Sequence, residues 1–397
     1  MRLLVATGHP EIVGGVETYL REFLPLLLER GHEIALLTQR PLPAGQSHIA
    51  DRCPPLVSWN VAEHSAQTRF AELDDWRPDA CYLQGMEDPD LESMLIDRVP
   101  TLLYCHNHYG LCISGTKRFG FPSPQPCPRI LGPKCLALYF PRRCGGLNPI
   151  TMIRLYREQR RRQQVILRTP GIAIASRYML ENYRRLGVAE DRLHLLPYFP
   201  TAQKADPEAP STRSCGLQIL LIGRLTELKG STHLVRALPI ASRLLNRPLK
   251  LVVAGDGPER PALEKLAHQL NVDVQFTGWI GPAEREQLYR TSDLLVVPST
   301  WSEPFGLVGI EAGCVGLPAV GFAVGGIPDW LIAGVSGEIA PGDLPTLTGL
   351  ADAIHRALRD PLHWQQLRVG AWNTARRFTS DGHLDQFERV IRSITNN

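Results

Sequence analysis

The chain has 397 residues, 44% of them hydrophobic and 21% charged, with a formal net charge of +3. That length exceeds what a single core usually supports and predicts two domains, while the mild net charge speaks against a general nucleic-acid partner. No stretch approaches the ~18 uninterrupted apolar residues of a membrane span. Met1 leads straight into a strand, without the charged, apolar, small-residue order of a signal peptide. A cytosolic protein is the expectation, and there the nine cysteines read as thiols or metal ligands rather than disulfides.

Taken in order, residues 3–7 form a short apolar strand. Residues 14–29 carry helical periodicity, with Val16, Tyr19, Leu20, Phe23, Leu26 and Leu27 on the apolar side. Pro25 inside that helix predicts a kink, Gly31 ends it, and 32–38 is the next strand. Further strands are predicted at 80–83, 101–105, 171–175 and 192–196, separated by helical patterns at 65–73, 91–98, 151–167 and 176–186. Residues 200–214 (PTAQKADPEAPSTRS) lack apolar periodicity and have the composition of an interdomain linker. The alternation then restarts, with strands at 217–222, 249–254, 273–276 and 293–297 and helices at 231–245, 261–270 and 283–289. Three helical segments follow at 347–358, 362–378 and 382–394. Strand–helix alternation in both halves predicts an α/β protein of two doubly wound domains, 1–200 and 216–378, joined by a linker at 201–215. Ligands of such sheets sit at the carboxyl ends of the strands, here in the cleft between the halves.

Four features fall at those strand ends. Residues 8–17 (GHPEIVGGVE) make a Gly-rich loop leading into the first helix. Gly14 and Gly15 there let backbone approach a phosphate at the helix N-terminus, with a tight turn as the alternative. Gly223, Arg224, Lys229 and Gly230 (GRLTELKG) follow the first strand of the second half. An Arg fork and a Lys point charge can neutralise a diphosphate, and two solvated surface cations are the alternative. Gly255 and Gly257 (AGDGP), with the stretch ending in Trp279 and Ile280, offer backbone groups to a base edge. Trp279 is a packing surface for the base or a purely structural residue.

The fourth feature, residues 301–329 (WSEPFGLVGIEAGCVGLPAVGFAVGGIPD), runs from a strand end through a Pro-containing loop into a short helix. Glu303 lies in the loop and Glu311 about one and a half turns inside the helix. Between them Phe305, Gly306 and Leu307 supply the unpaired N–H groups of a helix start. The combination suits a ligand with hydroxyls at one end and negative charge at the other. His106, after the strand sequence LLYC, belongs at the same cleft, as a functional group or as a structural hydrogen-bonding partner.

The order Gly-Gly-x-Glu, Gly-Arg-x4-Lys-Gly, Gly-x-Gly-Pro, Glu-Pro-Phe-Gly-x4-Glu-Ala and Pro-x-Val…Gly-Gly resembles the retaining glycosyltransferases of the GT-B fold, family 4 (glycosyl transferases group 1). The resemblance covers both halves and is most specific in the second. It implies two Rossmann-like domains facing a central cleft, with the final helix, 379–397, returning to the N-terminal domain. It also implies retaining transfer from a nucleotide-diphosphate sugar to a glycan, lipid-linked or small-molecule acceptor, with no cofactor or catalytic metal required. By that similarity His106, Glu303, Arg224 and Lys229 are the catalytic set. Arg224 and Lys229 hold the diphosphate, Gly15 lies under it, and His106 lies beside the sugar. Glu303 binds donor-sugar hydroxyls, the backbone of Phe305, Gly306 and Leu307 meets sugar and phosphate, and Glu311 meets the ribose. Gly14, Gly223, Gly255, Gly257, Trp279 and Ile280 complete the donor-binding set. Two departures stand out: Asn107 replaces the Asp that commonly follows the histidine, and Pro197-Tyr-Phe-Pro200 replaces the usual Pro-Asn-Gly-Val-Asp. A nucleotide-sugar epimerase on the same fold and a non-catalytic nucleotide-sugar-binding module are the other readings; the spacing of Glu303 and Glu311 matches the transferases.

Two features lie outside that common pattern. Cys112, Cys127, Cys135 and Cys144 fall in a Pro/Gly-rich insert at about 107–149, which four thiolates around a structural zinc would order; four independent thiols are the alternative. Residues 142–185 carry eleven arginines against only Glu158 and Glu181. Arg154, Arg157, Arg160, Arg161, Arg162 and Arg168 share one helix with Ile153, Leu155 and Tyr156. Such a basic stripe can dock on an anionic membrane surface, giving a peripheral location at its inner face, or it is a solvated charged face.

Overall fold

The computed structural model describes residues 1–12, 14–62, 66–200 and 217–395; the predicted linker at 201–215 lies outside the described residues. The first half runs β1 (Arg2–Thr7), α1 (Gly15–Glu29), β2 (Glu33–Thr38), β3 (Val57–Asn60), α2 (Ala66–Trp76), β4 (Ala80–Leu83), α3 (Pro89–Ile96) and β5 (Thr101–Cys105). An excursion follows, with β6 (Arg118–Phe119), β7 (Gln125–Pro126) and α4 (Lys134–Leu138). Then come α5 (Pro149–Arg168), β8 (Gly171–Ile174), α6 (Arg177–Leu186) and β9 (Leu193–Leu195). The second half runs β10 (Gln218–Ile222), α7 (Ser231–Leu245), β11 (Lys250–Ala254), α8 (Arg260–Gln269), β12 (Asp273–Gly278), α9 (Pro282–Thr291) and β13 (Leu294–Val297). It continues with α10 (Leu307–Gly313), β14 (Ala319–Phe322), β15 (Gly337–Ala340), α11 (Leu347–Leu358), α12 (Pro361–Ala375) and α13 (Ser380–Thr395).

The seven-stranded sheet has the order β3-β2-β1-β4-β5-β8-β9 and the six-stranded sheet β12-β11-β10-β13-β14-β15. Every pairing within them is parallel. Parallel strands covered on both faces are apolar along their length, and β4, β5 and β13 bury every residue. Side chains alternate across β1: Leu3 and Val5 join the core with Tyr19 and Phe23 of α1 and Phe387 of α13, whereas Leu4 and Ala6 meet Leu95 of α3 and Met179 of α6. Each sheet reverses its order beside its first strand, between β1 and β4 and between β10 and β13. A doubly wound sheet opens its crevice at such a point, so both halves are Rossmann-like.

Edge strands β3 and β15 were not expected. VSWN and GEIA have no apolar run, and β3 leaves two of its four residues exposed, so periodicity gives no signal. Helix α1 runs unbroken through Pro25. Helix α13 leaves the second half and packs on β5 and β8 of the first. There His383 hydrogen-bonds Tyr19 Oη through Nε2 (2.7 Å) and the Pro197 carbonyl through Nδ1 (2.8 Å).

Candidate active site

The loops after β10 and β13 lie against each other at the switch point of the second sheet. Gly230 makes this possible: its φ is +69°, and a Cβ there would stand 1.9 Å from the Pro298 carbonyl oxygen. The approach brings Lys229 Nζ to 3.0 and 2.8 Å from the two carboxylate oxygens of Glu303. Ser299 Oγ and Trp301 Nε1 each donate to Glu303 Oε2 at 3.0 Å. Glu303 is buried. Burial alone would raise its pKa, but the Lys229 charge and the hydrogen bonds from Lys229, Ser299 and Trp301 outweigh it and hold the carboxyl below its ordinary range. The result is a buried, ionised acid with a half-buried cation across it. Arg224, on the same loop, is exposed.

The other donor-side residues divide into packed and open ones. Gly255 and Gly257 hold their loop against that of Gly223, since Cβ atoms there would meet the carbonyl oxygens of Gly223 and Leu225 at 2.1 and 2.4 Å. Their first role is backbone packing. Trp279, by contrast, is 70% exposed at the end of β12, with Ile280 half-buried beside it. Glu311 is buried in α10; Tyr289 Oη donates to its Oε2 at 3.0 Å and Arg285 Nη1 lies 3.5 Å from the same atom. Phe305 is buried, its carbonyl accepts from Trp330 Nε1 at 2.7 Å, and Gly306 (φ +90°) opens α10 at Leu307 with no capping side chain.

Across the cleft, Gly14 and Gly15 are exposed at the start of α1, and Gly14 caps it with backbone alone. His106, half-buried, follows β5. Its Nε2 bonds Gln84 Oε1 at 2.7 Å and its Nδ1 bonds Tyr198 Oη. An amide oxygen only accepts, so Nε2 carries the proton and Nδ1 accepts from the tyrosine. Burial pushes the imidazole down to about 3, which keeps it neutral. A pocket of about 360 Å³, open on one side, lies beside it, lined by Gln84, Asn107, Tyr109, Glu92 and Arg162 among others. Arg162 faces Glu92 at 3.4 Å and is anchored by the Met86 and Glu87 carbonyls.

Known proteins share this architecture. The sequence model of the family described as glycosyl transferases group 1 matches residues 203–377. A D-inositol 3-phosphate glycosyltransferase of Xylanimonas cellulosilytica is 33% identical, with 93% of this chain and 89% of the relative covered. The chain belongs to the glycosyl transferases group 1 family. An uncharacterized glycosyltransferase of Methanocaldococcus jannaschii is 41% identical over 133 residues, so the match spans only 33% of that relative and 32% of this chain. The crystal structure of HepE from Anabaena in complex with UDP and glucose superposes with a TM-score of 0.71 over 99% of this chain and 100% of that one. At 16% identity that likeness concerns the fold, which is GT-B.

Among the described residues, no three His, Cys, Asp or Glu side chains stand in a grouping that could hold a metal ion, although Cys112, Cys127 and Cys135 lie near enough to Cys144 to act on its thiol. Cys112 Sγ accepts from Lys117 N (3.4 Å), and Cys144 Sγ donates to the Leu138 carbonyl (3.8 Å). Burial raises the Cys127 thiol and pushes that of Cys144 up to about 12, and the neighbouring cysteines add to both shifts. What orders the insert is a small core of Ile113, Leu131 and Tyr139 packed on Met152, Leu155 and Tyr156. Contacts to the second half add to it. Residues given no role from sequence complete the site: Gln84, Tyr198, Ser299 and Trp301. Two of them left a trace there, Tyr198 in the departure from the family pattern before the linker and Trp301 as the first residue of the fourth feature.

Proposed function

We propose that this chain transfers a sugar from a nucleoside-diphosphate donor to an acceptor hydroxyl with retention of configuration. The bond from the anomeric carbon to the phosphate oxygen breaks, its electron pair leaves with the nucleoside diphosphate, and the acceptor oxygen takes the carbon while its proton passes to an oxygen of the departing diphosphate. Arg224 and Lys229 offset the charge that develops on the leaving diphosphate, in place of a metal ion, aided by the bare N-terminus of α1. Glu303 receives donor-sugar hydroxyls, Glu311 the ribose, and the exposed Trp279 the base. Neutral His106, with both ring nitrogens committed, contributes a shaped polar wall and not a titrating base. The acceptor, a glycan, lipid-linked molecule or small molecule, enters from the pocket beside it.

The observation that carries this reading is the buried Lys229–Glu303 pair at the switch point, since a carboxylate kept ionised by a cation suits a polyhydroxylated, anionic ligand. Thermal shift against a panel of nucleotide sugars, followed by turnover of the stabilising donor, tests it. Transfer or slow donor hydrolysis is expected. Interconversion of the donor sugar would make the chain an epimerase, and binding alone a non-catalytic module.

A place at an anionic membrane surface is part of the same reading. The basic stretch splits in two. Towards the end of α5, Arg161, Arg162 and Arg168 pair with Asp90, Glu92 and Asp97. At its start Leu147 and Ile150 are 82% and 76% exposed beside exposed Arg154 and Arg157, which have no carboxylate partner among the described residues. Apolar tips rimmed by free cations suit an anionic bilayer. The full chain should co-sediment with phosphatidylglycerol vesicles and lose that binding in Ile150→Asp; equal binding to neutral vesicles would count against it.

A further inference from the structure

The insert belongs in sequence to the first half, yet its polar residues are buried against the second. His108 and Lys117 are fully buried and Arg118 nearly so. Their contacts converge on two loops. The Ser302 carbonyl accepts from His108 Nε2 at 2.5 Å, and Ser302 Oγ accepts from Tyr178 Oη at 2.8 Å and donates to the Lys117 carbonyl at 3.3 Å. Three groups of the first half thus meet one buried serine of the second. A separate tie runs from Arg118 Nη2 to Glu227 Oε1 at 2.7 Å. Ser302 immediately precedes Glu303, and Glu227 stands two residues before Lys229. The insert therefore holds both loops that carry the Lys229–Glu303 pair, one at Ser302 and the other at Glu227.

We propose that the insert is a latch over the donor site, with Ser302 and Arg118 as positioning residues that set the Lys229–Glu303 pair when the cleft closes on a nucleoside-diphosphate ligand. This rests on the reading that the pair handles the donor. Apart from an edge-on ring contact between His108 and Trp301 at 5.8 Å, the ties named here are hydrogen bonds or ion pairs between the halves, so opening exchanges them for water at small net cost and the latch is reversible. Closure has its own penalty. His108 Nδ1 and Arg118 Nε are buried without a partner, a desolvation cost that biases the empty cleft towards opening. A bound donor that engages Lys229 and Glu303 supplies the opposing bias, which is the differential interaction a two-state closure requires.

The test uses the full-length chain with Ser302→Ala, Arg118→Ala and Arg118→Lys, measuring donor kinetics and hydrogen exchange over residues 107–119 with and without UDP, ADP or GDP. Ser302→Ala removes both hydroxyl bonds while leaving Glu303, Lys229 and the main chain in place. The expected result is an about tenfold higher donor KM in both alanine variants, with kcat changed less than threefold and at least half the loss restored in Arg118→Lys. In the wild type a nucleoside diphosphate should slow exchange of the insert at least threefold, and the alanine variants should abolish that protection. Donor KM within twofold of wild type in both alanine variants, or a lower Tm with KM unchanged, overturns the latch. Absence of wild-type turnover would count against the transferase reading instead, and the exchange arm would still decide the latch by whether a nucleoside diphosphate protects the insert.

Discussion

Each half of the molecule places one buried or half-buried ionisable group at its strand ends, and the two are treated in opposite ways. Glu303 is surrounded by a lysine, a serine hydroxyl and an indole N–H, all donors, and stays ionised despite burial. His106 is flanked by an amide oxygen and a tyrosine hydroxyl, and burial keeps it neutral. Tyr19, Tyr82, Tyr104 and Tyr198 continue the same uncharged surroundings, with Tyr104 edge-on to His106 at 4.4 Å. The second half concentrates charge at its strand ends, and the first half surrounds its histidine with uncharged groups. A single fold repeated twice has been given two electrostatic characters by its loops alone.

The largest expected effect removes the charge that distinguishes the second half. Glu303→Gln keeps the shape of the side chain but leaves Lys229 without its counter-charge, so transfer should fall by about a hundredfold or more, a loss of the order seen when a positioned polar group is removed from an active site, with a lower Tm and an intact fold. Rates within threefold of wild type would erase the contrast between the halves.

Acid should act first on the first half and the helix that covers it. Burial holds His108 and His383 at about 4, against 6.5 in the unfolded chain. Between those values the unfolded chain binds protons that the folded one refuses, so their contribution is whole above pH 6.5 and is lost as the pH falls through that window. The cost is about 2 kcal/mol for each histidine at pH 5. Glu303, with its pKa lowered, loses its contribution only as the pH falls below the ordinary carboxylate value of 4.5. A pH series of Tm should therefore fall between pH 7 and 5, and a flat series would show that these histidines are not buried and neutral.

The smallest effect concerns the exposed Trp279. Trp279→Ala should raise donor KM about fivefold, the worth of one stacking contact of roughly 1 kcal/mol, while Tm stays within a degree of wild type. A lower Tm with donor KM unchanged would assign the indole to packing.

The alternation of strands and helices and the strand-end segments carrying Arg224, Lys229, Glu303 and Glu311 were legible in the sequence. Period-2 and period-3.6 patterns and strand-end glycines are local signals, and a buried parallel strand is apolar along its whole length. The edge strands at 57–60 and 337–340 were not legible, because VSWN and GEIA contain no run of apolar residues. Four cysteines in an aperiodic insert left a structural zinc and independent thiols both open, since spacing along the chain says nothing of how thiols are oriented; the small apolar core that packs the insert was not legible there. Arginine count likewise marked all of residues 142–185 as basic, and only the packing of α3 against α5 showed which charges are neutralised. By itself the sequence determined the two sheets and the identity of the groups at their strand ends. The tertiary structure decided that Lys229 faces Glu303, that His106 is neutral, and that Ser302 makes three hydrogen bonds with the other half, because each depends on residues distant in sequence meeting at one point.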